Sequence, residues 1–513
     1  VIYELHVGTF TPEGTWAAAT RQLPELATLG VTLLEIMPIA EFPGRFGWSY
    51  DGVNLFAPSH LFGPPDDFRR FVDAAHRVGI GVALDVVYNH FGLAECTVTK
   101  FAAAYASTRY KNEWGAPINF DGEASGSVRE YFLANMRHWI AEYHLDGVRI
   151  DATQAFFDDS SDHILGALVR EARSAADRRS ILVIAESEPQ DVRMLRRPEQ
   201  GGYGMDMAWN DDFHHMAMVR ATGRREAYYT DYFGSAREFV AALRWGYLYQ
   251  GQRYQWQGKR RGTPALDLPA ATFVNFLQNH DQLANSAHGQ RGHELTSPGR
   301  WRALTAVLLL GPGTPLIFQG QEFSASTPFL YFADSPPELA KAVADGRRKF
   351  LQQFPSLSLE KLQEQLPDPS DEETFVRCRL NFDERQTHAE SYRLHADLIR
   401  LRRYDECIRL QDKRQIEAAV LNDDCFLLRY FHNDPEQASD AQRLLIVNFG
   451  PELRYTPAPE PLLAPSADCE WRVVWTSEDP NYGGLGTPEL ETDEGWRIPA
   501  ECAVLLVPHQ RTT

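Results

Sequence analysis

The chain has 513 residues, 43 % hydrophobic and 24 % charged, too many for one small core and too ordinary a balance for a disordered or fibrous protein. Its formal net charge of −19 offers no cationic footprint for nucleic acid or an anionic membrane, so a neutral substrate is expected. Six cysteines (Cys96, Cys378, Cys407, Cys425, Cys469, Cys502) form no CxxC pair and read as free thiols of a reducing cytosol, while the longest apolar run, ALTAVLLLG (303–311), is too short to span a bilayer.

In chain order, β-type apolar runs alternate with helical patterns. The runs are VIYELHV (1–7), VTLLEIMPI (31–39), GIGVALDVVYN (79–89), DGVRIDA (146–152), SILVIAES (180–187), GMDMAW (204–209), FVNFLQNHD (273–281) and TPLIFQGQEF (314–323). In the first of them, Glu4 and His6 interrupt any apolar leader core, so no secretory signal is expected, and a chain that opens inside a strand reads as a piece of a longer protein. Helical stretches lie between the runs, at 16–30, 64–79 and 127–144. In the second, Pro64, Pro65, Asp66 and Asp67 form a helix start, and Phe68, Phe71, Val72 and Ala75 give the spacing of a buried face. Eight such units predict an α/β fold, a closed (β/α)8 TIM barrel rather than an open doubly wound sheet. The third unit carries a long insertion, about residues 90–126, of the length that usually serves function. From about residue 401 the pattern changes to short strands with turn signals (FLLRYFH, RLLIVNF, WRVVW, WRIP, AVLLVP), an antiparallel β domain expected over 401–513 after a catalytic barrel over 1–400. LEKLQEQLPDPSDEETF (359–375) reads as a polar connection.

A parallel barrel keeps its chemistry at the C-terminal ends of its strands. Polar residues collect there: Asp85, Asn89 and His90 after the third strand, Arg149 and Asp151 on the fourth, Glu186 on the fifth, Asn279, His280 and Asp281 on the seventh. Arg149 and Asp151 share one face of their strand, opposite Val148 and Ile150. One rim carboxylate alone is usually an ion-pair partner or a helix cap. Three carboxylates with two histidines and an arginine on one rim are costly to bury unless they form a site. The cluster has no cysteine, the chain has no HExxH and no phosphate loop, and Asp85, Asn89 and His90 do not complete a metal set, so neither metal nor cofactor is expected. Paired carboxylates beside a neutral substrate suit glycoside hydrolysis, with Arg149 keeping Asp151 ionised as nucleophile and Glu186 holding its proton as acid.

DVVYNH (85–90), GVRIDA (147–152), AES (185–187) and QNHDQ (278–282) resemble, in order, the four hallmark segments of the α-amylase superfamily of glycoside hydrolases. The resemblance implies Asp151 as nucleophile, Glu186 as general acid/base and Asp281 as transition-state carboxylate. It also implies Asn89, His90, Arg149, His280 and a stacking Tyr50 from FGWSYDG around the cleaved sugar, with Asp85 structural. The insertion would be the family's B subdomain and the C-terminal strands its β-sandwich. Within the superfamily, INFDG (118–122), DATQAFFDDSSDHIL (151–165), MAWNDDFHH (207–215), FVNFLQNHDQLAN (273–285), STPFLYFAD (326–334) and LPDPSDEETF (366–375) resemble the malto-oligosyltrehalose trehalohydrolases. Those enzymes release trehalose from the end of a malto-oligosaccharide, so an α-glucan partner in the cytoplasm is implied. The WNDDFHH block suggests Asn210, Asp211, Asp212 and His215 as outer sugar contacts, or equally a structural network at the end of the sixth strand. Two departures stand out: no counterpart of the family's N-terminal β-sandwich precedes the barrel, and LAECTVTKF (93–101) replaces a stretch that usually follows YNHFG. Glu188 is a second carboxylate past the fifth strand, and Glu322 is expected to be structural. The rival readings are a glucan branching enzyme, a general α-amylase-type hydrolase and a catalytically silent glucan-binding protein.

Overall fold

A computed structural model describes residues 1–92, 98–112, 114, 116–359, 363, 365–432 and 441–511. Cys96 and part of the LAECTVTKF stretch therefore lie outside the described residues. Eight parallel strands close into a barrel: β1 (Ile2–Leu5), β2 (Leu33–Ile36), β3 (Gly81–Val86), β4 (Gly147–Ile150), β5 (Leu182–Ala185), β6 (Met207–Trp209), β7 (Phe273–Phe276) and β8 (Thr314–Phe318). They pair in sequence order, and β1 closes the ring by pairing with both β2 and β8. Because these strands are covered on both faces, they read as continuous apolar runs rather than as alternating ones.

Alternation appears in what the inward face carries. Ile2, Leu33, Ala83, Ile184, Trp209, Val274 and Leu316 pack together inside the barrel. One period of two further along β1, β2 and β3, the row becomes Glu4, Glu35 and Asp85, all buried. An apolar plug thus closes one end of the barrel, and a charged layer lies directly above it.

The surrounding helices follow from their sequences. Pro65–Arg77 starts after Pro64, carries Asp66 and Asp67 in its first turn and His76 and Arg77 in its last, and buries Phe68, Phe71, Val72 and Ala75, the expected face. The stretch 16–30 breaks into Trp16–Thr20 and Leu23–Leu29, because Pro24 suits the first turn of a new helix and not the interior of an old one. The seventh strand is shorter than expected. It ends at Phe276, and the Asn279 side chain accepts the Gln282 amide at 2.8 Å, capping a short helix, His280–Ala284. His280 and Asp281 therefore sit on a helical turn, not on a strand.

Within the described part of the insertion, bridges join His90 to Pro117 and Ala106 to Ile118. Asp121 ties the insertion to the loop after β4 by accepting from Arg109 at 3.0 Å, Tyr110 at 2.6 Å and the Asp159 amide at 3.0 Å. Helix Ala389–Tyr404 runs across residues 400–401, and antiparallel strands follow it. Five of them form one sheet, in the order Ile416–Val420, Cys425–Phe431, Gln442–Asn448, Cys502–Gln510, Cys469–Thr476. That sheet is apolar on both faces. Phe426, Leu428, Leu445, Val447 and Leu505 join the core of the barrel helices, while Cys425, Leu427, Leu444, Ile446 and Val504 pack on a second, three-stranded sheet that supplies Trp496 and Ile498. Tyr430 donates to the Leu310 carbonyl at 2.8 Å and Phe239 stacks on Phe426 at 5.9 Å, so the sheet seats on the helices after β6 and before β8. All five described cysteines are buried free thiols.

Candidate active site

Arg149 is the hub. Its place on β4 turns it inward, where it is fully buried and lies over the Trp209 ring at 4.3 Å. Nη1 donates to Asp85 Oδ2 at 2.6 Å and to Asp151 Oδ1 at 2.7 Å, and Nη2 donates to Glu186 Oε2 at 2.7 Å. One guanidinium therefore carries three carboxyl groups from three neighbouring strands, a geometry its planar fork of donors suits. Asn89 donates to Asp151 Oδ2 at 2.7 Å, and the Ala152 amide donates to Glu186 Oε2 at 2.9 Å. Asp151 and Glu186 each stand one residue beyond their strands, where the backbone turns out of the barrel.

Tyr50 and His280 complete the floor. The Tyr50 hydroxyl donates to Asp85 Oδ2 at 2.6 Å and meets His280 Nε2 at 2.9 Å, and the two rings stack at 5.3 Å. His280 Nδ1 lies 2.5 Å from Glu4 Oε1. Asp281 Oδ2 is 3.6 Å from His280 Nε2, and its side chain remains 43 % exposed, open to the cleft. His90 contacts the Asn89 side-chain oxygen through Nδ1 and lies beside Trp114, ring centroids 6.4 Å apart. The nine residues Tyr50, Asp85, Asn89, His90, Arg149, Asp151, Glu186, His280 and Asp281 thus converge on one rim.

The electrostatics separate their tasks. Burial lifts Glu186 to about 7, against the pull of Arg149 and with help from Asp151 and Asp281. Burial also raises Asp151 above its ordinary value despite Arg149. Arg149 acts in the expected direction, since its charge favours the ionised Asp151, but burial outweighs that pull and the neighbouring charge of Asp85 adds to the rise. Burial works against a charged His280, yet Asp281 and Glu4 outweigh it and hold the imidazole up at about 9.

The outer contacts divide. Asn210 is fully buried and caps helix Asp211–Thr222, accepting from the Phe213 amide at 3.3 Å and donating to Asn275 Oδ1 at 2.9 Å. Asp212, also fully buried, accepts from the Tyr232 hydroxyl at 2.5 Å and the Leu248 and Tyr249 amides at 2.7 and 2.9 Å. His215 is buried against Tyr228, Tyr229 and Tyr232. Asn210 and Asp212 therefore fall on the structural-network side of the two readings, with their polar atoms committed to protein, whereas His215 commits only its ring and its buried Nδ1 has no hydrogen-bond partner. Asp211 differs: burial lifts it to about 7, Arg261 pulls it down, and the charges of Glu186 and Glu188 push it up. Glu322 accepts from the buried Tyr3 hydroxyl at 3.0 Å, a structural contact.

Sequence reasoning missed three groups. Glu4 and Glu35 belong to the inward row that ends in Asp85, and the period-two rule applied to β1 and β2 would have found them. Arg261 is a second buried guanidinium. It donates to Glu188 at 2.5 Å, and Gln257 joins at 2.8 Å, tying a hairpin to the segment after β5. No local signal in QGKRRG separates Arg261 from its exposed neighbours.

The family model "Alpha amylase, catalytic domain" matches residues 6–115. A malto-oligosyltrehalose trehalohydrolase of Deinococcus radiodurans is 41 % identical over 420 residues, 81 % of this chain and 68 % of that protein. One from Saccharolobus solfataricus is 42 % identical over 350 residues, 68 % of this chain and 61 % of that protein. A crystal structure of a candidate alpha amylase from Salmonella typhimurium superposes with a TM-score of 0.84 at 32 % identity, covering 99 % of this chain and 82 % of that one.

Proposed function

Because the chain belongs to the malto-oligosyltrehalose trehalohydrolase family of α-amylase-type glycoside hydrolases, we propose that it cleaves the α-1,4-glucosidic bond beside the terminal trehalose of malto-oligosyltrehalose, releasing trehalose and a malto-oligosaccharide. The enzyme is a glycoside hydrolase, and no helix among its described residues is long and apolar enough to cross a membrane. One observation carries the chemistry: Asp151 and Glu186 share the Arg149 guanidinium, each at 2.7 Å, and burial lifts Glu186 to about 7.

Glu186 gives its proton to the glycosidic oxygen while Asp151 attacks the anomeric carbon, and the C–O bond to the trehalose unit breaks. Glu186, now a carboxylate, takes a proton from water. That water displaces Asp151 and frees the sugar with its configuration retained. Asp281 and His280 bind the ring more tightly as it flattens and gains positive character, which is where the rate is gained. Asn89 and Arg149 hold Asp151 in line for attack.

The test is product analysis on maltotriosyl-trehalose and, separately, on maltopentaose. Free trehalose from the first with the second barely cut supports the proposal. Equal cleavage of both means a general amylase-type hydrolase. Longer products from maltopentaose mean transfer, the branching-enzyme outcome.

A further inference from the structure

We propose that Glu4, on the first barrel strand, is a positioning residue that locks His280 with a proton on each ring nitrogen and thereby sets Tyr50 and Asp85 beneath the catalytic carboxylates. This rests on the sugar-cleaving reading of the site given above. Glu4 touches no reacting atom, and it is 276 residues away from His280 in sequence.

The hydrogen-bond directions carry the inference. Glu4 Oε1 lies 2.5 Å from His280 Nδ1, and Oε2 accepts the His280 amide at 3.3 Å, so one carboxylate holds both the ring and its backbone. Nδ1 must donate to it. On the other side, Nε2 lies 2.9 Å from the Tyr50 hydroxyl, which has one hydrogen and gives it to Asp85 Oδ2 at 2.6 Å. Nε2 must then bring its own hydrogen to the Tyr50 oxygen. With both hydrogens in place, a continuous chain runs Glu4, His280, Tyr50, Asp85, Arg149, and from Arg149 to Asp151 and Glu186. If Nε2 loses its hydrogen, it competes with Asp85 for that of Tyr50. Asp85, whose Oδ1 is buried without a partner, would then depend on Arg149 alone.

The groups facing His280 favour this state. Asp281 adjoins it on its own helix, Glu4 faces it from β1, Glu35 from β2, Asp85 from β3 and Tyr50 from the loop after β2. Arg149 from β4 and the buried neutral His6 after β1 oppose it. Glu35 is in register beside Glu4, and both its oxygens are buried and unpartnered. Burial first, then the charge of Glu4, raises it well above the carboxylate range, and of the two neighbouring carboxyl groups only Glu4 reaches His280.

The variant is Glu4→Gln, which keeps the shape and removes the charge. Ring-nitrogen NMR of the histidine-labelled full chain follows His280, identified by the signal lost in His280→Gln. The wild-type ring is expected to remain doubly protonated through neutral pH, and in Glu4→Gln its titration should move down by more than one pH unit. The ratio of wild-type to variant kcat on maltotriosyl-trehalose should be constant below the variant's His280 pKa and rise by about tenfold per pH unit above it, with KM little changed. A kcat lowered equally at every pH, or a His280 titration unmoved by the substitution, overturns the proposal. So does a wild-type His280 that is neutral at pH 7, a reading that needs no variant to fold. Glu4→Asp, which keeps the charge, should restore the titration. If His280 titrates as stated while trehalose is not released, the proposed substrate fails and the positioning role stands.

Discussion

Replacing Asp151 with Asn removes one negative charge from a guanidinium that serves three carboxyl groups and keeps the shape of the site. Asp151 and Glu186 occupy the two terminal nitrogens of Arg149, each at 2.7 Å. Two like charges about 5.5 Å apart, the spacing of a retaining pair, repel by about 3 kcal/mol at an effective dielectric of about 20. That is about two pKa units. Glu186 is therefore expected to fall from about 7 toward the ordinary carboxyl range in Asp151→Asn, since Arg149 then has one competitor fewer. Side-chain carbon NMR of glutamate-labelled protein measures it, with Glu186→Gln assigning the signal. Stability must follow the same sign. Glu186 has a folded pKa raised from 4.5 to about 7, so its contribution is fully present below 4.5 and is lost as pH rises through about 7. In Asp151→Asn that loss shrinks and the stability profile over this range flattens. A Glu186 that stays near 7 in Asp151→Asn would mean that burial alone sets its proton affinity and that the shared guanidinium does not tune the pair.

Two further outcomes are expected. In the wild-type enzyme the basic limb of kcat/KM on maltotriosyl-trehalose should fall near pH 7, because Glu186 must enter the reaction protonated; a limb above about pH 9 would remove Glu186 as the acid. Asp212→Ala should lower unfolding stability by about 3 kcal/mol, because it leaves the buried Tyr232 hydroxyl and two part-buried amides without their acceptor. Denaturant unfolding reads that loss, and an intact, fully stable Asp212→Ala protein with a raised KM would return Asp212 to the substrate.

Much of the barrel was legible because each strand is a run of apolar residues with its polar residues at one end. DVVYNH, GVRIDA, AES and QNHDQ mark four strand ends by that contrast alone, and the period of two then turns Arg149 and Asp151 to the same side. The local turn at Asn279 was not legible, since an extended run of apolar and polar residues looks the same whether it continues or is capped by an Asn side chain. Asn210 and Asp212 show a related ambiguity. A polar residue past a strand end can meet a sugar or a backbone amide, and only the loop 247–249, distant in sequence, decides for Asp212. Glu4 and Glu35 looked like single interruptions of apolar strands, because their partners lie on other strands. Arg261 could not be picked from Lys259, Arg260 and Arg261 without knowing which of them the hairpin turns inward.

The ring closure at β1 has a consequence for when activity can arise. Glu4 lies on the strand that joins β8 to β2, and His280 follows β7, so the carboxyl group and the imidazole that meet at 2.5 Å come from opposite ends of the barrel sequence. A chain that has made Asp151 and Glu186 still lacks His280 and Asp281, and its three carboxyl groups have only Arg149 between them. Such contacts between distant segments form late and slowly in folding. The floor of the site is therefore assembled only when the ring of strands is complete.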